Sequence, residues 1–264
     1  MPEDEYDKED EEDMDDDDEE LDDDEDLDDD DRICEVPRGS VIFLSSETSW
    51  PADFYEGNSG AGAFLDQFAW IYSCHGIYRP NVTWDLPFLP WMVNANHGPT
   101  IAQAHERDIN YLREIDSLSK PRTLSVICSN QSLTAEHRIR LKFVEKLKEH
   151  FQDRLDWYGN GINAIPDKGT GLADYKYSIA IENQIAANVI TEKLWDPLLT
   201  LTMPIYGGAP NAGSYLPGNS FVSIDIRNLE GSIATIESLL ESDPYEATLP
   251  AIRAARDRVL GPLN

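Results

Sequence analysis

The chain has 264 residues, 41% of them apolar, enough for one large domain or two small ones with buried cores. Its net charge of −30 is uneven, because residues 1–31 carry 24 acidic side chains against Lys8 alone and the rest is close to ordinary. Cys34, Cys74 and Cys128 have no metal-ligand spacing and no apolar run reaches membrane-spanning length, which argues against a disulfide framework, a zinc site and a spanning helix. With an acidic rather than basic start, the expectation is an unanchored, cytoplasmic protein with no nucleic-acid partner.

Residues 1–31 hold too few apolar groups to offset the entropy of ordering, and their carboxylates repel one another, so a disordered tail is expected. It reads as a solubilising extension, with a basic partner as the functional alternative. A short buried strand is expected at Val41–Ser45, running into a loop that contains Glu47, and a second around Phe68–Cys74. Between Pro80 and Pro99 the chain is rich in Pro, Trp and Asn and reads as irregular. A helix from Ile101 to Leu118 then leads to Lys120-Pro121, where a domain boundary is placed.

From Thr123 strands and helices alternate. Strands are expected at Thr123–Cys128, Arg154–Tyr158, Ser178–Ile181, Met203–Tyr206 and Phe221–Asp225. Helices are expected over about Leu133–His150 and from about Ile190, with two short ones at the end. This order implies a parallel sheet covered on both faces, whose ligands sit at the carboxyl ends of its strands.

Three places there could carry chemistry. On the first of these helices, Leu133, Ile139, Phe143, Val144 and Leu147 are expected on one stripe, and Arg140 projects from its middle while Arg138 points away. A guanidinium in that position must meet either an internal carboxylate or a ligand anion, and spacing alone leaves both open. The strand Ser178–Ile181 stops at Glu182-Asn183. If the next helix begins near Asn188, its free amides and Lys193 favour an anion, while Glu192 suits sugar hydroxyls; an ordinary amphipathic helix with exposed Glu and Lys is the alternative. Tyr206-Gly207-Gly208 ends a further strand and is by itself a weak signal.

Five separate elements then fall in order: Tyr175 through Asn183, Val189-Ile190-Thr191-Glu192-Lys193-Leu194, Pro204-Ile205-Tyr206-Gly207-Gly208, Leu216-Pro217 and Ser220-Phe221-Val222. Together they resemble the signature block of the alpha-1,3-fucosyltransferase family, glycosyltransferase family 10, in its bacterial type. Ser129-Asn130 with Arg140-Leu141-Lys142-Phe143 resembles the same family's phosphate-contacting helix, and selects the arginine that the helical stripe selects. Weaker likenesses at Phe64 to Phe68, Pro80-Asn81-Val82 and Leu89-Pro90-Trp91 align the Glu47 loop with the one that carries the family's general base. The chain departs from relatives at Val189, where some carry tyrosine, and at Gly207, where a bulky residue is common.

The resemblance implies an α/β protein of GT-B type with two Rossmann-like halves, the first truncated. The division expected is 1–31 acidic tail, 32–120 partial acceptor-side domain and 121–264 nucleotide-sugar domain. It further implies inverting transfer of fucose from GDP-fucose to a glycan hydroxyl, with Glu47 as catalytic base. Arg140 and Lys193 would lie on the diphosphate, Asn183 and Glu192 on the donor's hydroxyls, with Glu182 supporting them. No cofactor is obligatory in that scheme, and a divalent metal is at most stimulatory. The alternatives are a catalytically silent nucleotide-sugar-binding relative, or a protein that works through its acidic tail.

Overall fold

The computed structural model describes residues 36–37, 39–45, 64–87, 91–93, 109–261 and 263; the acidic segment 1–31 and Glu47 lie outside these. The elements described fall within residues 37–264 and form two parallel sheets. The first joins β1 (Ile42–Leu44), β2 (Trp70–Ser73) and β3 (Val82–Trp84) in that order. Alternation puts Phe43, Ile71 and Val82 on one face, where they pack with Leu65, Phe68 and Ile77. Residues 82–84 were expected to be irregular. They form a strand because β2 supplies a ladder through Ile71 and Ser73, a partner that local composition does not reveal.

Of the helix expected from Ile101 to Leu118, residues 101–108 lie outside the description, α1 covers Ile109–Glu114, and residues 115–118 are not helical, the helix ending four residues earlier than expected. The segment after α1 is held by side chains from the chain's end: Arg256 Nη1 donates to the Ile115 carbonyl, and Arg253 Nε to that of Asp116 at 3.0 Å. Lys120 Nζ donates to the Thr200 carbonyl at 2.7 Å and to Thr202 Oγ1 at 2.9 Å. Burial pushes this ammonium down to about 7, against the opposing pull of Asp174.

The second sheet contains β4 (Arg122–Ile127), β5 (Asp156–Tyr158), β6 (Tyr175–Ile181), β7 (Met203–Gly207) and β8 (Val222–Ser223), ordered β5-β4-β6-β7-β8 with every pair parallel. β6 and β7 are buried almost throughout and read as apolar runs, as strands covered on both faces must. The two polar groups at the centre satisfy each other, since Ser125 Oγ donates to Gly171 O at 2.7 Å and lies 3.1 Å from Ser178 Oγ. Successive strands β5 and β6 flank β4 on opposite sides, so the chain reverses direction across the sheet between β4 and β6. Such a switch opens a crevice at the carboxyl ends of the strands.

Four helices accompany this sheet: α2 (Ala135–Phe151), α3 (Glu192–Leu199), α4 (Leu229–Ser242) and α5 (Tyr245–Val259). The last two, expected to be short, run to 14 and 15 residues. In α2 the buried stripe is His137, Arg140, Phe143, Val144, Leu147 and Phe151. Leu133 and Ile139, expected on it, are 77% and 48% exposed. The helix starts only after Thr134, whose hydroxyl accepts from His137 N at 3.1 Å, which leaves Leu133 outside it.

The start of α3 also differs from expectation, at Glu192 rather than between Asn188 and Ile190. Asn188 has φ 66°, a left-handed conformation that no α-helix accommodates, and its amide donates to Asn211 Oδ1 at 2.9 Å. Thr191 is the cap instead.

Candidate functional site

At the crevice lies a cavity of about 350 Å³, walled by the ends of β4 and β6, the loop after β5, α2 and the first turn of α3. Gly159, just after β5, has φ 146° and approaches the Cys128 carbonyl so closely that any Cβ would collide with it; this lets the ends of β4 and β5 form one smooth wall. Arg140, Asn183, Glu192 and Lys193, the first and last of them 53 residues apart in sequence, all line this one space.

Arg140 is 6% exposed. Its Nη1 donates to Asn183 Oδ1, its Nε has no hydrogen-bond partner, and among the described residues no carboxylate pairs with it. Of the two partners spacing left open, the internal carboxylate is therefore not the one found. The same guanidinium sits beside Cys128, where burial pushes the thiol's pKa up and Arg140 opposes the shift. Burial first, then Arg140 and Lys193, lower the pKa of His137 one turn earlier. Arg140, Lys168 and Lys193 share this wall with Asp167, Glu192 and Asp196, and of the three cations Arg140 is the one with no carboxylate beside it among the described residues.

Lys193 Nζ lies 3.0 Å from Glu192 Oε1, 3.2 Å from Thr191 Oγ1 and 3.9 Å from Glu182 Oε2. Burial disfavours the charge of Glu192, yet Lys193 and Lys168 together hold its carboxyl down at about 2. Glu192 therefore stays an acceptor at any ordinary pH, suited to a pair of hydroxyls.

Glu182 is not on the cavity wall. It is 2% exposed, accepting from Thr191 N at 2.8 Å, Thr191 Oγ1 at 2.7 Å and the Tyr206 hydroxyl at 3.3 Å. Its oxygens are occupied, and it fixes the cap of α3, the helix whose first turn carries Glu192 and Lys193.

Gly208 belongs to this support. A Cβ there would fall onto the Tyr206 ring and within 2.7 Å of Glu182 Cγ. Gly208→Ala is expected to cost about 1–3 kcal/mol in urea unfolding by overpacking. An unchanged midpoint would reduce Tyr206-Gly207-Gly208 to a plain turn.

Sequence reasoning missed Lys168 and Asp196, which also line the cavity. Lys168 stands in a short 3-10 turn capped by Asp167, and its partners Glu192 and Asp196 are 24 and 28 residues away, so no local pattern marks it. Among the described residues no three His, Cys, Asp or Glu side chains converge as a metal site, and no helix is long and apolar enough to cross a membrane.

The two parallel sheets, with the cavity at the strand-end switch of the second, form an α/β fold of GT-B type. The fold matches a crystal structure of alpha1,3-fucosyltransferase with GDP-fucose at TM-score 0.52 and 18% identity, over 85% of this chain and 74% of that one. Residues 118–244 match the model of glycosyltransferase family 10 (fucosyltransferase), C-terminal part. The chain is 50% identical over 48 residues to GDP-fucose protein O-fucosyltransferase 3 of Xenopus tropicalis, which is 18% of this chain and 10% of that protein. It is 31% identical over 132 residues to the Danio rerio protein of the same name, covering 45% and 27%. The chain thus matches about a quarter or less of the length of these curated relatives.

Proposed function

We propose that the protein transfers fucose from GDP-fucose to an acceptor hydroxyl with inversion at the anomeric carbon, forming an alpha-1,3 linkage when the acceptor is a glycan. The observation that carries this reading is the buried guanidinium of Arg140, which has no carboxylate partner among the described residues and faces the same cavity as Lys193. A departing nucleoside diphosphate supplies the anion that Arg140 lacks, and fixed cations stabilise its growing charge as the glycosidic bond breaks. Glu192 receives donor hydroxyls, and Asn183, bonded to Arg140, keeps the guanidinium facing inward. The incoming hydroxyl must lose its proton as it attacks, and Glu47 is the proposed base, on resemblance alone. The names of the relatives and the GDP-fucose in the similar crystal structure support the choice of donor.

Ligand-induced thermal stabilisation tests the donor. A ligand that binds only the folded state at about a hundred times its Kd contributes roughly 2.7 kcal/mol, so GDP and GDP-fucose are each expected to raise Tm by about 5–10 °C. UDP and ADP are expected to do less. Release of GDP with fucosylation of an acceptor panel then separates a transferase from a silent nucleotide-sugar-binding relative. Absence of any shift with both guanine ligands would remove the donor assignment.

A further inference from the structure

Glu192 is held from two sides: Lys193 Nζ reaches its Oε1 at 3.0 Å and Lys168 Nζ reaches the same oxygen at 3.2 Å. The proposed donor changes this balance, because a diphosphate draws the flexible Lys193 ammonium toward itself. Lys168 is placed so that it cannot follow. Its ammonium is also 3.0 Å from Asp196 Oδ2, and Asp196 is 1% exposed. Asp196 Oδ1 is in turn fixed by two backbone amides, Met92 N at 2.7 Å and Val93 N at 2.9 Å. Met92 lines the cavity and Val93 is buried in the main core, so this anchor reaches from the segment before α1 into the donor wall.

The helix makes Lys168 necessary. Glu192 and Asp196 are four residues apart on α3, on one face, where like charges repel. A single ammonium between them, 3.2 Å from Glu192 Oε1 and 3.0 Å from Asp196 Oδ2, offsets the repulsion. We propose that Lys168 is a positioning residue of the donor site, which, braced by Asp196, keeps Glu192 charged and aimed at the ligand's hydroxyls after Lys193 has turned to the diphosphate.

This rests on the donor-site reading above. The charged groups around Glu192 are Lys193 and Lys168 in its favour and Glu182 and Asp196 against it, with Arg140 and Asp167 further along the wall. The sign follows from geometry. A depressed carboxyl pKa gives an acceptor present above that pKa and lost as pH falls through it, so removing Lys168 moves the loss to higher pH.

Calorimetric titration of the full chain with GDP and with inorganic pyrophosphate, at pH 7.5 and pH 5, tests this, because only GDP carries the hydroxyls that Glu192 receives. Relative to wild type at the same pH, Lys168→Met is expected to weaken GDP about tenfold at pH 7.5, about 1.4 kcal/mol, and by more at pH 5, because the carboxyl that has lost its fixed cation titrates at a higher pH than before. Pyrophosphate is expected to stay within about threefold at both, and Lys168→Arg to restore most of the GDP affinity. Lys168→Gln answers the same question if the methionine variant does not fold.

The proposal is overturned if GDP binds the variant as it binds wild type, if GDP and pyrophosphate weaken in parallel, or if the GDP loss fails to deepen at pH 5. Wild-type protein that binds neither probe overturns the donor site itself, a distinguishable result.

Discussion

Arg140→Met is expected to weaken GDP binding by about 1.5–3 kcal/mol, the range for a charge-assisted contact, while leaving the ligand-free protein as stable as the parent or more so. The opposite signs follow from one circumstance. Without ligand, the guanidinium is 6% exposed, bonded to a neutral amide oxygen, with Nε unpartnered. That is an uncompensated cost of burial, and methionine fills similar space without it. With a diphosphate present, the same charge gains a counter-ion in a poorly hydrated site. Calorimetry with GDP and a thermal melt without it read the two halves separately. A variant that melts well below the parent yet binds GDP normally would mean that Arg140 is a structural residue.

Glu182→Ala is expected to destabilise the fold by about 3 kcal/mol, because it strands a buried amide and a buried hydroxyl that each cost about 1–3 kcal/mol when unpaired. Both belong to Thr191, the cap of α3. The Tyr206 hydroxyl loses an acceptor as well, and Lys193 a carboxylate 3.9 Å away. GDP affinity is expected to fall together with stability, since α3 carries Glu192 and Lys193. Glu182→Gln keeps one carbonyl oxygen for the Thr191 amide and is expected to lie between the two. Urea unfolding of both variants checks the order, and a cost below about 1 kcal/mol for the alanine variant would contradict the bond pattern.

How far the site was legible depends on the range of the forces that build it. Arg140 could be found because burial on a helix has a period, and a lone charge inside that period stands out. The same stripe went astray at Leu133 and Ile139, because the cap at Thr134 sets where the period begins. The start of α3 was misplaced for a related reason. Asn188 turns left-handed and Thr191 becomes the cap through Glu182, a partner just past the end of β6. Lys168 and Asp196 left no trace in local sequence, since each is defined by residues that the fold brings in from a distance. The order of the parallel strands was readable from alternation, whereas the three-residue strand β3 exists only through its neighbour.

The main core takes in Val93, Leu112 and Ile115 beside Leu124, Leu194 and Ile252. Arg253 and Arg256 grip the segment that follows α1, and Lys120 plugs the end of the sheet where β6 and β7 begin. A cut at Lys120-Pro121 therefore severs topology without releasing an autonomous module. The excised piece would bare greasy surface, orphan two arginines and leave Asp196 without its amides, so the proposed boundary is a place for the eye rather than for a protease.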